Sequence, residues 1–162
     1  MKCMECGKGP VESRRESHRY KECGLDYVTL VGIEVRHCPH CGQYEFIIPD
    51  VEGLHRTIAH AVAEKPARLV PHEVRFLRKY LGYASGEFAQ AIGVNAATVS
   101  RWESGAQRMT IGLERFLRVM VMNQKPVDYY PADRIQELGS ARASASRLRV
   151  ASKKNGWEAS AA

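Results

Sequence analysis

Residues 85–105 read SGEFAQAIGVNAATVSRWESG, and this stretch decides the fold of the middle of the chain. Phe88 and Ile92 recur at helical spacing and predict a short first helix. Gly93 permits a tight turn, and Asn95 is a preferred N-cap residue that starts a second helix. Two short helices joined in this way predict a helix-turn-helix, a motif whose second helix enters the major groove of DNA.

The second helix has one apolar face and one small, polar face. Val99 and Trp102 point towards a core, whereas the outward face is small enough to approach base edges closely. Arg101 on that face can form two hydrogen bonds to guanine. The alternative is ordinary packing in a helical bundle, against which the Gly-x-Asn turn and the SRWE run argue. We expect the DNA-binding residues to be Ser85, Asn95, Ala96, Ala97, Thr98, Ser100 and Arg101.

The stretch from 98 to 105, TVSRWESG, resembles the Cro-repressor or XRE type of helix-turn-helix. In that family the Glu after the aromatic residue usually pairs with an Arg in the first helix of the domain. The resemblance therefore implies an Arg78–Glu103 ion pair and a structural role for Trp102. The chain departs from the pattern at Ser85, where many members have a Gln that contacts a phosphate.

Helical spacing extends beyond this motif and predicts an all-α domain of five helices over residues 71–138. Its long helix at 111–123 is apolar on more than one face, which suggests a seam for a homodimer. Pro66, in the run Lys65-Pro66-Ala67-Arg68, breaks the helical pattern and predicts a linker at 65–70 before this domain. Residues 139–162 have almost no large apolar side chains, so we expect a disordered basic tail.

Two matching C-x-x-C-G turns, at 3–7 and 38–42, mark the N-terminal part of the chain. Four thiolates brought together form the closed tetrahedral set of a structural zinc site, so we expect one Zn²⁺ and no catalysis there. Iron is chemically possible in the same geometry, whereas a thioredoxin-like pair would need one C-x-x-C at a helix start. The predicted ligands are Cys3, Cys6, Cys38 and Cys41.

The rest of residues 1–64 predicts a β-rich head that ends in a helix. β-Branched and aromatic residues at 27–37 and 44–48 are typical of strands, and Asp50 is placed to cap the helix that follows. Cys23 lies in a strand-like stretch, where a small half-buried hydrophobe is the simplest interpretation. With the helical domain and tail, the expected fold class is α+β.

Charge is distributed unevenly along the 162 residues, whose formal net charge is +6. Residues 1–64 carry −2, residues 65–138 carry +4 and residues 139–162 carry +4. Such asymmetry indicates different partners for different segments, with double-stranded DNA the candidate for the basic ones. No apolar run is long enough for a membrane span and no signal peptide is visible, so we expect a cytoplasmic protein without a membrane partner.

A four-cysteine head followed by a short linker and an XRE domain is similar to the MqsA antitoxins, over about residues 1–138. This resemblance implies a bacterial cytoplasmic protein, nucleoid-associated when bound to DNA. Its zinc head would clamp a cognate toxin, typically an mRNA-cleaving ribonuclease, and its homodimeric helix-turn-helix would repress its own operon. Arg101 would read a base, and Ala97 stands where the best-known members have Asn and can contact only a thymine methyl.

Two other classes of function remain open from the sequence. The chain could be a stand-alone zinc-containing XRE-family regulator without a toxin, which the absence of a neighbouring small basic reading frame would favour. It could also be a thiol oxidoreductase or a metallohydrolase. We expect no enzyme, because the sequence shows no open metal position, no nucleophile–base pair and no phosphate loop.

Overall fold

The structure is a computed structural model that describes residues 2–123, 142–143 and 147–161. These residues form an α+β fold with a β-rich head and five helices. The elements in chain order are β1 (Glu12–Arg19), β2 (Val28–His37), β3 (Tyr44–Ile47), α1 (Val51–Glu64), α2 (Pro71–Tyr80), α3 (Ser85–Ala91), α4 (Ala96–Ser104), α5 (Ile111–Met122), β4 (Leu148–Lys153) and β5 (Gly156–Ala161).

Strand β2 is the centre of the single five-stranded sheet. It pairs with β1 along one edge in the antiparallel direction. Its other edge is shared, because residues 34–37 pair with β3 and residues 28–31 pair with β4. Side chains alternate along β2 on either side of a bulge at Val31 and Gly32, where Gly32 has a φ of 73° and two residues of β2 oppose one of β1. The bulge restores the same buried face after the break in alternation. The buried residues of β2 are Val28, Leu30, Ile33 and Val35.

The C-terminal segment corrects the prediction of a disordered tail over 139–162. Residues 148–161 form the hairpin β4–β5, and β4 runs parallel to β2. Leu148 and Val150 are buried in the core in register with β2, and the Trp157 indole N–H donates to the carbonyl oxygen of Pro49 at 3.1 Å. These few apolar residues are enough to order the hairpin, because they pack against a sheet that already exists and do not have to form a separate core. Of the five helices predicted over 71–138, the described residues contain four, α2–α5, and the fifth, predicted at 132–138, lies outside the described residues.

Helix α1 joins the sheet to the other helices. It packs against β5 on one side and against α2 and α5 on the other, and one hydrophobic cluster runs through all of these elements. The helix starts where predicted, because the Asp50 carboxylate accepts the Gly53 N–H at 2.9 Å. Asn95 caps α4 in the same way, through the Thr98 N–H at 2.8 Å. Among the described residues, no helix is both long and apolar enough to cross a membrane.

The stretch 65–70, which we predicted as a linker, is held against α5. Arg118 of α5 is fully buried and donates to the carbonyl oxygens of Ala63, Lys65 and Ala67 at 2.9, 2.6 and 2.6 Å. The buried Glu114 completes the cluster. It accepts hydrogen bonds from Arg118 at 2.8 Å, from Arg68 at 2.6 Å and from the Leu69 N–H at 3.0 Å.

Removing the Arg118 guanidinium should therefore destabilise the protein strongly. Arg118→Met would leave three carbonyl oxygens without this donor and the Glu114 charge less compensated in the interior. We expect a loss of about 3–5 kcal/mol in the free energy of unfolding, measured by urea denaturation. Arg108→Met, at an exposed position, is the control and should change that energy by about 0.5 kcal/mol or less. A loss below about 1 kcal/mol for Arg118→Met would contradict this account of the cluster.

Candidate metal centre and candidate recognition helix

The four predicted cysteine ligands converge at one point of the head. The sulfur atoms of Cys3, Cys6, Cys38 and Cys41 all lie within 4.8 Å of one another. The Cys3–Cys41 and Cys6–Cys38 sulfur pairs are 3.8 and 3.6 Å apart. Four sulfurs at zinc–thiolate bond length in a tetrahedron are about 3.8 Å apart, whereas a disulfide needs about 2 Å. The geometry thus fits a four-coordinate metal ion.

Both C-x-x-C-G turns have the same backbone conformation. In the first, the Gly7 N–H donates to the Cys3 carbonyl oxygen at 3.0 Å, and in the second Gly42 donates to Cys38 at 3.0 Å. Both glycines have positive φ angles, 63° and 73°, which side-chain-bearing residues rarely adopt. These turns allow two thiols to approach one ion from a single short loop.

The electrostatics of the four thiols also favour a cation. The N–H of Cys41, followed by that of His40, stabilises the Cys38 thiolate and lowers the pKa of that thiol to about 6. For Cys41, the N–H of Gln43 acts in the same direction, but the neighbouring thiols and burial outweigh it and raise the pKa to about 12. Because the thiols differ in this way, a cation bound among them would stabilise all four as thiolates.

The fifth cysteine of the head and the two histidines in or beside the second cysteine turn make other contacts. Cys23 is half-buried and its thiol donates to the Tyr20 carbonyl oxygen at 3.4 Å, which agrees with its interpretation as a small buried side chain. His40 packs over Gly9, so closely that a Cβ atom there would lie 2.5 Å from the imidazole. His37 faces Glu16 at 3.3 Å.

A groove lined by both apolar and charged residues, beside the cysteine cluster, was missed by the sequence reasoning. It has a volume of 380 Å³, and Met4, Val11, Tyr44 and Phe46 are among the residues that line it together with Cys3 and Cys38. Met4 is 92% exposed and Tyr44 is 57% exposed. The only signal in the sequence was that these large side chains lie within the cysteine turns or directly after them.

Helix α4 exposes most of the residues predicted to contact DNA. Val99 and Trp102 are buried, while Asn95 and most of the outward face are exposed, and Thr98 and Ser85 are half-buried. The Thr98 hydroxyl bonds the Asn95 side chain at 2.9 Å. Only a 3.5 Å contact with Gln107 restrains the Arg101 side chain among the described residues. The exposed residues of this face are Ala96, Ala97, Ser100 and Arg101.

The ion pair between Arg78 and Glu103 is confirmed. The guanidinium binds both carboxylate oxygens, at 2.5 and 3.1 Å, and also donates to the Tyr83 carbonyl oxygen at 2.6 Å. Arg75, one turn earlier on α2, contacts the same carboxylate at 3.2 Å. This second partner was not predicted, although its spacing from Arg78 places it on the same helix face. The pairs fix the end of α4 to α2.

Comparison with known families identifies one match. The family model for MqsA, described as the antitoxin component of a bacterial toxin–antitoxin system, matches residues 1–127. That range includes the four cysteines and all five helices, and it ends before β4 begins. No curated protein matches the chain significantly.

The cluster geometry predicts which thiols retain metal. Cys41→Ser should abolish binding of the single metal ion, because three thiolates and a hydroxyl form a much weaker site. Metal content per chain would be measured by elemental analysis, together with the thiolate absorption of the cobalt-substituted protein. Cys23→Ser removes a thiol outside the cluster and should keep one ion. Retention of a full equivalent of metal by Cys41→Ser would refute the four-cysteine assignment.

Proposed function

The chain belongs to the MqsA antitoxin family, and on this premise we propose that it neutralises a cognate toxin through its metal-binding head and represses its own operon by binding DNA through α4. Membership in the family gives the protein the role of an antitoxin in a bacterial toxin–antitoxin system. The toxin contact, the operator and the dimer are parts of our proposal. The metal we propose is one structural Zn²⁺, with iron as the alternative.

The observation that carries the DNA-binding proposal is the exposed outer face of α4. Its small side chains permit close approach to base edges, and Arg101 is exposed in the last turns of the helix. A buried ion pair fixes the position of the helix, so the helix can enter a groove without rearranging its own packing. We infer that Arg101 binds guanine and that Ala97 contacts a thymine methyl.

We propose that the groove beside the cysteine cluster contacts the toxin. Met4 and Tyr44 supply exposed apolar surface, and Glu5 and Glu45 line the same groove together with Lys2 and Arg36. A divalent ion held by four thiolates adds a charge of about −2 at the groove wall. Lys2 and Arg36 balance the charges of Glu5 and Glu45, so the net negative charge beside the groove comes from the metal–thiolate centre. A ribonuclease toxin needs a cationic surface to hold RNA, and a negative centre next to exposed apolar side chains suits such a partner.

The outer surface of α5 is the proposed homodimer seam. Ile111 and Phe116 are exposed on this helix although both are large and apolar. A twofold dimer through this surface would present two copies of α4 to a palindromic operator. The expected location is the bacterial cytoplasm, with nucleoid association when DNA is bound. The closed four-thiolate site favours a regulatory role over catalysis.

The proposed base contact predicts the effect of one substitution. Arg101→Ala should weaken binding to the operator upstream of the gene by about 1–3 kcal/mol, or about 5- to 150-fold. The helix would remain, because the side chain is exposed. Lys21→Ala removes one charge from an exposed turn of the head and serves as the control in a fluorescence-anisotropy titration at fixed salt. Equal operator affinities of the two variants would remove Arg101 from base recognition.

The proposed toxin contact predicts a second effect. A tagged chain should capture from native lysate a small basic protein that is encoded beside its gene. Tyr44→Ala should reduce the affinity for that protein about tenfold or more. Gln90→Ala, at an exposed position of α3, should bind as the unmodified chain does. Absence of such a partner would favour a stand-alone regulator. Capture that is unaffected by Tyr44→Ala would place the toxin on another surface.

A further inference from the structure

The sheet that carries the metal site is built from both ends of the chain. Strand β2 ends directly before Cys38, and β4 pairs with residues 28–31 of β2 after the chain has passed through α2–α5. The Leu148 N–H donates to the Tyr27 carbonyl oxygen at 3.1 Å and begins this pairing. The helices α2–α5 are thus inserted between two segments of one sheet. The family match ends at residue 127, so the hairpin lies beyond it.

The hairpin covers a strand edge and part of the core. Without β4, residues 28–31 of β2 would present an open row of amide and carbonyl groups along this edge. Val150 is fully buried and lies opposite Leu30, and β5 packs against α1. The hairpin is therefore part of the folded head.

Tyr27 links the hairpin side of the sheet to α2. Its hydroxyl donates to the Glu73 carboxylate at 2.5 Å, and that carboxylate is fully buried. Lys65 binds the same carboxylate at 2.7 Å, and the Val70 N–H donates to it at 2.8 Å. Burial and the adjacent Glu73 charge raise the pKa of Tyr27, so the hydroxyl stays a donor. Displacing the sheet from α2 would leave a buried carboxylate with fewer partners.

Helix α2 continues the connection to the recognition helix. Glu73 lies in its first turn and Arg78 in its last turn. Arg78 binds Glu103 at the end of α4, and both side chains are nearly buried. Two buried contacts of α2, Tyr27–Glu73 in its first turn and Arg78–Glu103 in its last, therefore connect the start of β2 to the end of α4 through the backbone of that helix.

We propose that the β4–β5 hairpin is a strap that makes the metal-binding sheet and the helical domain one cooperative unit, so that metal bound by the cysteines stabilises the helix-turn-helix. The sequence alone predicted a head and a helical domain joined by a linker, with no coupling between them. Ligand binding to the native state stabilises everything that unfolds with the site. The proposal rests on the proposed metal site but on neither DNA nor toxin, so its failure in a chain that still binds one metal ion would leave the proposed function untouched.

The two tryptophans allow the helical domain to be observed alone. Trp102 is buried in α4 and Trp157 lies in β5, so Trp157→Phe leaves one reporter in the helical domain of the full-length chain. Its thermal unfolding is followed by fluorescence with zinc bound and after zinc has been removed with a chelator. We expect the Trp102 transition to fall by more than about 5 °C on zinc removal. An unchanged Trp102 transition would overturn the proposal.

A second comparison tests the strap itself. Val150→Asp places a charge in the core beneath β4, whereas Ser160→Asp places the same charge at an exposed position of β5. With Trp157→Phe in both, Ser160→Asp should keep the zinc-dependent shift, and Val150→Asp should lose the shift or fail to fold its helical domain at all. The milder Val150→Ala should lower the Trp102 transition itself, because a loss of packing in the hairpin destabilises everything that unfolds with it. An unchanged Trp102 transition in Val150→Ala, or a full zinc-dependent shift in Val150→Asp, would show that the hairpin does not couple the two parts.

Discussion

The pairing of both edges of β2 is the constraint on which the rest of the structure depends. One edge is covered by β1 along most of its length, while the other needs β3 for its second half and β4 for its first half. Strands β1 and β3 also bring the two cysteine turns together, because Cys3 precedes β1, and Cys38 and Cys41 lie between β2 and β3. Strand β4 comes from the C-terminal part of the chain, and its pairing with β2 brings the chain back to the head.

Buried charges, rather than apolar contacts alone, orient the helices against this sheet. Glu73, Glu114 and Arg118 are fully buried, and each binds groups from the stretch 65–70 or its immediate neighbours. Such clusters add little net stability compared with apolar packing, but misplacing one partner is costly. They therefore favour one orientation of the head relative to α4. An antitoxin with this arrangement would present the proposed toxin surface and the proposed DNA surface in a defined relation.

The parts of the protein that follow from local patterns were predictable from the sequence. Repeated C-x-x-C-G turns identified the four thiols, and the turn chemistry of Asn95 and Asp50 identified the starts of α4 and α1. The Arg78–Glu103 pair followed from a family motif. The hairpin was not predictable in this way, because its stability comes from pairing with residues 28–31, about 120 positions earlier. Composition alone indicates disorder there. The role of Arg118 could not be predicted either, because most of its partners are backbone carbonyl oxygens, which any residue type can supply.

Native-state hydrogen exchange of the zinc-loaded, full-length chain tests the central claim, that the sheet and the helical domain unfold together, most directly. The slowest backbone amides of β2, β4 and α5 would be compared at increasing, sub-denaturing concentrations of guanidinium. The structure predicts that all three elements share one opening free energy and one dependence on denaturant. Exchange of β2 and β4 through a smaller, separate opening, with the amides of α5 still protected, would contradict it.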